Sequence, residues 1–132
     1  MEDVRFRYTI LYVENVSETL YFFEKAFGLK RALLHESGEY GELETGATKL
    51  SFSSIRLMRD LGKNPSRPDS SNPTFEIAFE VDDVASALSR ALTAGATLVQ
   101  DTEQMPWGQT TAYVTDSNGF LIEICTPVVV QP

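Results

Sequence analysis

The chain is poor in the residues that most often carry covalent and metal chemistry. It has 1 cysteine and 1 histidine in 132 residues. A lone Cys125 excludes an internal disulfide and suits a reducing compartment. His35 is the only imidazole, and no nucleophile elbow stands near it, so a Ser/His/Asp arrangement is not expected. Cys125 has no histidine partner and reads as a buried strand thiol. Catalytic residues are therefore assigned to no position. Basic residues are scarce too: 11 Lys and Arg stand against 19 Asp and Glu, a net charge of −8. Such a surface is unsuited to phosphate backbones and anionic bilayers, which excludes nucleic acid and membrane as partners. No Gly-rich phosphate loop is present. No apolar run approaches the roughly 20 residues of a membrane span. The opening Met1-Glu2-Asp3-Val4-Arg5-Phe6-Arg7 does not have the layout of a signal peptide, so a cytoplasmic location is expected.

What remains is ordinary globular material. The hydrophobic share is 42% and the charged share 23%. One domain spanning 1–132 is expected, burying about two-thirds of its unfolded surface. Its organising stretch is Met105 to Pro127, which reads as a β-hairpin. Trp107 to Thr115 forms one strand, Asp116-Ser117-Asn118-Gly119 the turn, with Asn and Gly suited to positive φ, and Phe120 to Cys125 the other strand. Phe120, Ile122 and Ile124 share one face; Leu121, Glu123 and Cys125 share the other. Glu123 is a carboxylate among apolar neighbours, and it must meet water, a donor, a cation or a ligand.

Along the chain, Arg5 to Val13 reads as a strand. Asn15 caps a helix carrying Val16, Leu20, Phe23 and Phe27, and Gly28 stops it. Strands over Lys30 to Glu36, Tyr40 to Thr45 and Thr48 to Ser53 follow. Arg59 to Pro73 is almost free of apolar residues and reads as a linker or lid. The pattern then restarts: a strand over Phe75 to Val81, a helix capped by Asp83 with Val84, Leu88, Ala91 and Leu92, a stop at Gly95, and a strand over Thr97 to Thr102. Residues 8–20 align with residues 76–88 so that Val13, Val16 and Leu20 match Val81, Val84 and Leu88. Two copies of one unit are implied: module one 1–58, linker 59–73, module two 74–128. The fold class is α+β, two tandem βαβββ modules whose mixed sheets curl around a central cup.

Each sheet has a helix-facing side and an open side. Phe75, Ile77, Phe79 and Val81 face the second helix, and Glu76, Ala78 and Glu80 face away. Thr9, Leu11 and Val13 face the first helix, with Tyr8, Ile10 and Tyr12 away. Ser51 falls opposite Glu123 by pseudo-symmetry. The open sides would line the cup with Tyr8, Tyr12, Ser51, Glu76 and Glu123, and Trp107, Gln109, Thr111 and Tyr113 would add wall. Carboxylates, rings and hydroxyls together suit a ligand that is partly flat and partly cationic.

Leu11-Tyr12-Val13-Glu14-Asn15-Val16, Tyr21-Phe22-Phe23, Phe27-Gly28-Leu29, Ile77 to Val84, Ala94-Gly95-Ala96, Pro106-Trp107-Gly108 and Asp116 to Glu123 give the chain a resemblance to a known family. It resembles the vicinal oxygen chelate superfamily of glyoxalases, bleomycin resistance proteins and extradiol dioxygenases, over nearly its whole length. The resemblance implies metal ligands, His or Gln and Glu, at matching strand positions. Here those positions are Tyr8, Ser51 or neighbouring Leu50, Glu76 and Glu123, and only Glu123 is the usual residue. His35, placed in the second strand, lies outside the set. No cofactor is expected; if a divalent metal binds, Glu76 and Glu123 would hold Mg²⁺ or Mn²⁺. The resemblance is greatest to the metal-poor, bleomycin-resistance-like branch, which implies a homodimer that sequesters a cationic, partly aromatic small molecule and confers antibiotic resistance. The ligand-binding residues are then Tyr8, Tyr12, Ser51, Glu76, Trp107, Gln109, Tyr113 and Glu123. The alternative is a divalent-metal-dependent lyase or dioxygenase with an unusual ligand set.

Overall fold

The computed structural model describes residues 2–128. The order is β1 (Tyr8–Val13), α1 (Val16–Phe27), β2 (Lys30–Leu34), β3 (Tyr40–Glu44), β4 (Lys49–Ser54), α2 (Ile55–Asp60), β5 (Glu76–Glu80), α3 (Val84–Thr93), β6 (Thr97–Gln104), β7 (Thr110–Thr115) and β8 (Leu121–Cys125). Two 4-stranded mixed sheets result, ordered β1-β4-β3-β2 and β5-β8-β7-β6. In each, the first strand pairs parallel with the last, and the other pairs are antiparallel. This is the α+β, two-module architecture read from the repeat.

The described residues divide into two compact units, 2–24 with 28–67, and 25–27 with 68–128. In the first unit, Asn15 caps α1 by accepting from the Glu18 amide, and Gly28 closes it at φ 69°. Val16, Leu20 and Phe23 are buried against the sheet face that holds Leu11, Val13, Leu43 and Phe52. Gly41 on β3 is buried beneath this helix, where an added Cβ would stand 2.7 Å from Leu20 Cδ1 and 3.0 Å from Val16 Cγ1. The last turn of α1 belongs to the second unit. There the Phe27 ring lies 4.6 Å from that of Phe79, and Arg90 Nε donates to the Lys25 carbonyl. Asp83 caps α3 through the Ser86 amide, and Val84, Leu88 and Ala91 are its buried face.

The structure corrects several sequence boundaries. Ser54 ends β4 and caps α2 through the Leu57 amide, burying Ile55 and Met58; this short helix lies at the end of module one, and only its last two residues, Arg59 and Asp60, fall in the stretch read as linker. Residues 61–75 then carry neither helix nor strand. The strand expected from Trp107 begins at Thr110. Pro106 brings no amide proton and Gly108 turns the chain at φ 99°, so the reversal falls inside that stretch. In the 116–119 turn only Gly119, at φ 102°, is left-handed, and Asn118 is not. His35 follows β2 rather than lying in it; its Nδ1 accepts from the Ser37 amide at 3.1 Å. Among the described residues no helix is long and apolar enough to cross a membrane.

Candidate functional site

In the second unit β7 and β8 pair so that Tyr113 faces Glu123 and Thr111 faces Cys125. On β5, Ala78 lies beside Glu123, with Glu76 and Glu80 on either side along the strand. Alternation puts all of these on the open face, because Ala112, Val114, Ile122 and Ile124 fill the buried one. The Tyr113 hydroxyl donates to Glu123 Oε2 at 2.5 Å. That bond raises the Tyr113 pKa, with burial and the negative charges of Glu123 and Glu76 acting in the same direction. Burial, then Glu123, Glu80 and Glu76, push the Cys125 thiol up to about 11. It stays protonated at neutral pH and its Sγ donates to the Phe79 carbonyl, as befits a structural thiol. Neither Glu76 nor Glu123 forms an ion pair among the described residues. Thr111 Oγ1 is buried there without a hydrogen-bond partner.

Trp107 and Gln109 lie elsewhere in this unit. Trp107 is 62% exposed on the 105–109 turn. Its indole N–H donates to Gln109 Oε1, and Gln109 Nε2 donates to the Thr126 carbonyl. Thr126 is three residues beyond Glu123, about 10 Å along a strand. The structure thus brings Glu76, Tyr113 and Glu123 together and sets Trp107 and Gln109 apart from them.

In the first unit the open face holds Tyr8, Ile10 and Tyr12 of β1, Ser51 and Ser53 of β4, and Tyr40 and Glu42 of β3. Two of the chain's own cations rest on its rings: Arg7 Cζ is 5.3 Å from the Tyr8 centroid and Lys63 Nζ 5.8 Å from that of Tyr12. Arg7 has its pKa raised, by Tyr8 first and more weakly by Glu42 and Tyr40. Tyr40 donates to Glu42 Oε2 at 2.8 Å. Burial lifts the Tyr40 phenol to about 12; Ser51 opposes that rise and Glu42 adds to it. Ser51 is fully buried, faces Glu42 in the β3–β4 register, and its Oγ makes no hydrogen bond of acceptable geometry.

Register relates the two faces. Tyr40, Glu42, Ser51 and Ser53 of the first unit occupy the places of Thr111, Tyr113, Glu123 and Cys125 in the second. Each unit thus carries one phenol–carboxylate hydrogen bond, with the carboxylate on the hairpin's first strand in one and on its second strand in the other. Tyr40 and Glu42 escaped the sequence reading; their spacing of two within one strand was the available signal. A metal ion would meet a poor donor set. Tyr8 and Ser51 offer neutral hydroxyls, no imidazole is present at the matching positions, and one Glu123 oxygen is committed to Tyr113. Among the described residues no group of three or more His, Cys, Asp or Glu is placed to hold a metal ion.

The chain belongs to the glyoxalase-like domain family, within the vicinal oxygen chelate superfamily; the family matches residues 6–129. Solved structures with a similar fold include a glyoxalase-related enzyme from Fulvimarina pelagi, 21% identical over 96% of this chain and 89% of that one, with a TM-score of 0.80. A glyoxalase/bleomycin resistance protein/dioxygenase family enzyme from Burkholderia phytofirmans PsJN is 19% identical over 96% of this chain and all of that one, with a TM-score of 0.81. TioX from Micromonospora sp. ML1 is 20% identical over 93% of this chain and 98% of that one, with a TM-score of 0.70. No curated protein matches the chain.

Proposed function

We propose that this protein binds a small, cationic and partly aromatic molecule without a metal and without transforming it, as the bleomycin-resistance-like branch is expected to do. One observation carries the reading: Glu76 and Glu123 both act on the Tyr113 phenol, and neither has a basic partner among the described residues. Two uncompensated carboxylates on one sheet face favour a cation. Tyr113 fixes one Glu123 oxygen and leaves the other for a ligand. The unpartnered Thr111 hydroxyl supports a polar contact beside it. Trp107, exposed and steadied by Gln109, offers a stacking surface to a ligand long enough to reach both ends of the hairpin. Tyr8 and Tyr12 carry cations of the chain already, and we assign them the same preference toward a ligand. The role is sequestration in the cytoplasm, with drug tolerance as its outcome, by a homodimer.

Calorimetric titration with a bleomycin and with benzyltrimethylammonium tests this. The folded protein should release heat of binding with at least one of them, and EDTA should leave the affinity unchanged. Glu123→Gln should weaken it about tenfold or more, the usual scale of a hydrogen bond or contact to a charged group. No heat from the folded protein, or binding abolished by EDTA and restored by a divalent metal, overturns the reading; the second result favours the metal-dependent lyase or dioxygenase alternative.

A further inference from the structure

We propose that the first unit holds a second binding site, built from Glu42, Tyr40 and Ser51, that receives a primary ammonium group. It rests on the small-molecule-binding reading above but uses none of the second unit's residues. Three observations converge on it.

The first is chemical inventory. Tyr40 spends its proton on Glu42 Oε2, so its oxygen presents only acceptor lone pairs to a newcomer. Glu42 keeps its other oxygen free of hydrogen bonds and joins no ion pair among the described residues. Ser51 adds a third oxygen, facing Glu42 across the strand pair. Three oxygens with accepting capacity match the three N–H donors of an ammonium.

The second is the state of Ser51. Its side chain is shut off from solvent, and Oγ, though near enough to the Tyr40 phenol to lower its pKa, makes no hydrogen bond of acceptable geometry among the described residues. A buried hydroxyl left this way costs about 1–3 kcal/mol. A small apolar residue at that position would avoid the cost, as Leu50 and Phe52 do on the other face. Glu42 and Tyr40 beside it are only half-buried and remain within reach of a ligand.

The third is that this face already collects cations. Arg7 lies over Tyr8 and Lys63 over Tyr12, two rings four residues apart on the same side of β1. Arg7 and Glu42 feel each other's charge, yet Arg7 forms no ion pair with Glu42 among the described residues, so no cation of the chain touches the carboxylate.

The test uses the whole chain and NMR, following the Tyr40 and Tyr113 ring resonances while n-butylammonium chloride is added. Tyr40 should shift and saturate. Glu42→Gln should raise the half-saturation concentration about tenfold or more, and Ser51→Ala, which removes a group without a partner and spares the fold, should raise it about threefold or more. Glu123→Gln should leave the Tyr40 response intact. Tetramethylammonium, a cation without N–H donors, should give no saturable shift at Tyr40. The proposal is overturned if tetramethylammonium saturates Tyr40 as well as butylammonium does. It also fails if magnesium chloride saturates Tyr40 at lower concentration, or if Glu42→Gln changes nothing. A response at Tyr113 without one at Tyr40 overturns this site and leaves the second unit's reading standing; a saturating response at Tyr40 alone supports this site.

Discussion

Glu123 survives on a half-buried sheet face because a phenol is aimed at it. An unpaired carboxylate there would shift toward its neutral form or destabilise the fold. Tyr113 satisfies one oxygen and leaves a charge that its neighbours do not cancel. The reciprocal effect falls on the phenols and the thiol. Tyr113, Tyr40 and Cys125 all have raised pKa values, Tyr40 to about 12 and Cys125 to about 11. Groups raised in the folded state contribute stability that is complete below their unfolded values, 9.0 for the thiol and 10.0 for the phenols. That contribution is lost as pH rises through the folded values. Urea denaturation should therefore show stability falling between about pH 9 and pH 12. Tyrosinate absorbance should show two of the 5 tyrosines ionising late, and Tyr113→Phe should remove one of the late pair. A single tyrosinate transition near pH 10 for all of them would contradict the hydrogen bonds described.

At the scale of elements, α1 and β3 meet through Gly41. Its missing side chain lets Leu20 and Val16 settle on the sheet, and a methyl group placed there would overlap Leu20. Gly41→Ala should destabilise the protein by about 1–3 kcal/mol, the usual range for overpacking, read as a lowered urea midpoint with an unchanged slope. A midpoint equal to that of the parent would show that the helix moves aside freely. Elements were the part of the fold most legible in the sequence. Asn15 and Asp83 announce their helices because a capping side chain must precede the apolar repeat immediately, and Gly28 marks a stop only glycine takes easily. The open and buried faces of β1, β5 and β8 follow from alternation alone. α2 was hidden because six residues bury only one pair, Ile55 and Met58, too few positions to establish a period. The start of β7 was misplaced because Trp107 looks like a strand residue, while Gly108 beside it decides the backbone. The site was legible in half. The positions of Glu76 and Glu123 follow from register, but the Tyr113 hydrogen bond and the Tyr40–Glu42 pair depend on side-chain rotamers, which no pattern of residue types specifies.

For the molecule as a whole, duplication supplies two sheets of one plan with different chemistry at equivalent places. Ser51 stands where Glu123 does, and Glu42 where Tyr113 does, so the two open faces are alike in outline and unlike in donors and acceptors. The proposed homodimer adds apolar surface to this account. Leu98 and Val99 on β6 are 45% and 54% exposed, at the edge of the second sheet. Sedimentation at micromolar concentration should give the mass of two chains, and Leu98→Lys with Val99→Lys should shift it toward one without loss of fold. A monomer at every concentration up to about 100 µM, far above the nanomolar range of tight association, would remove the dimer from the proposal.

The central position of β8 bears on how the chain is made. β8 is the last strand of its sheet to leave the ribosome, yet it must slot between β5 and β7. Until Cys125 emerges, β5 has no neighbour on either edge and the second sheet cannot close. The first sheet meets the same condition at Ser54, some seventy residues sooner. Biosynthesis thus has two completion points, and the emerging polypeptide carries a finished first sheet while half of the second waits with its edges bare.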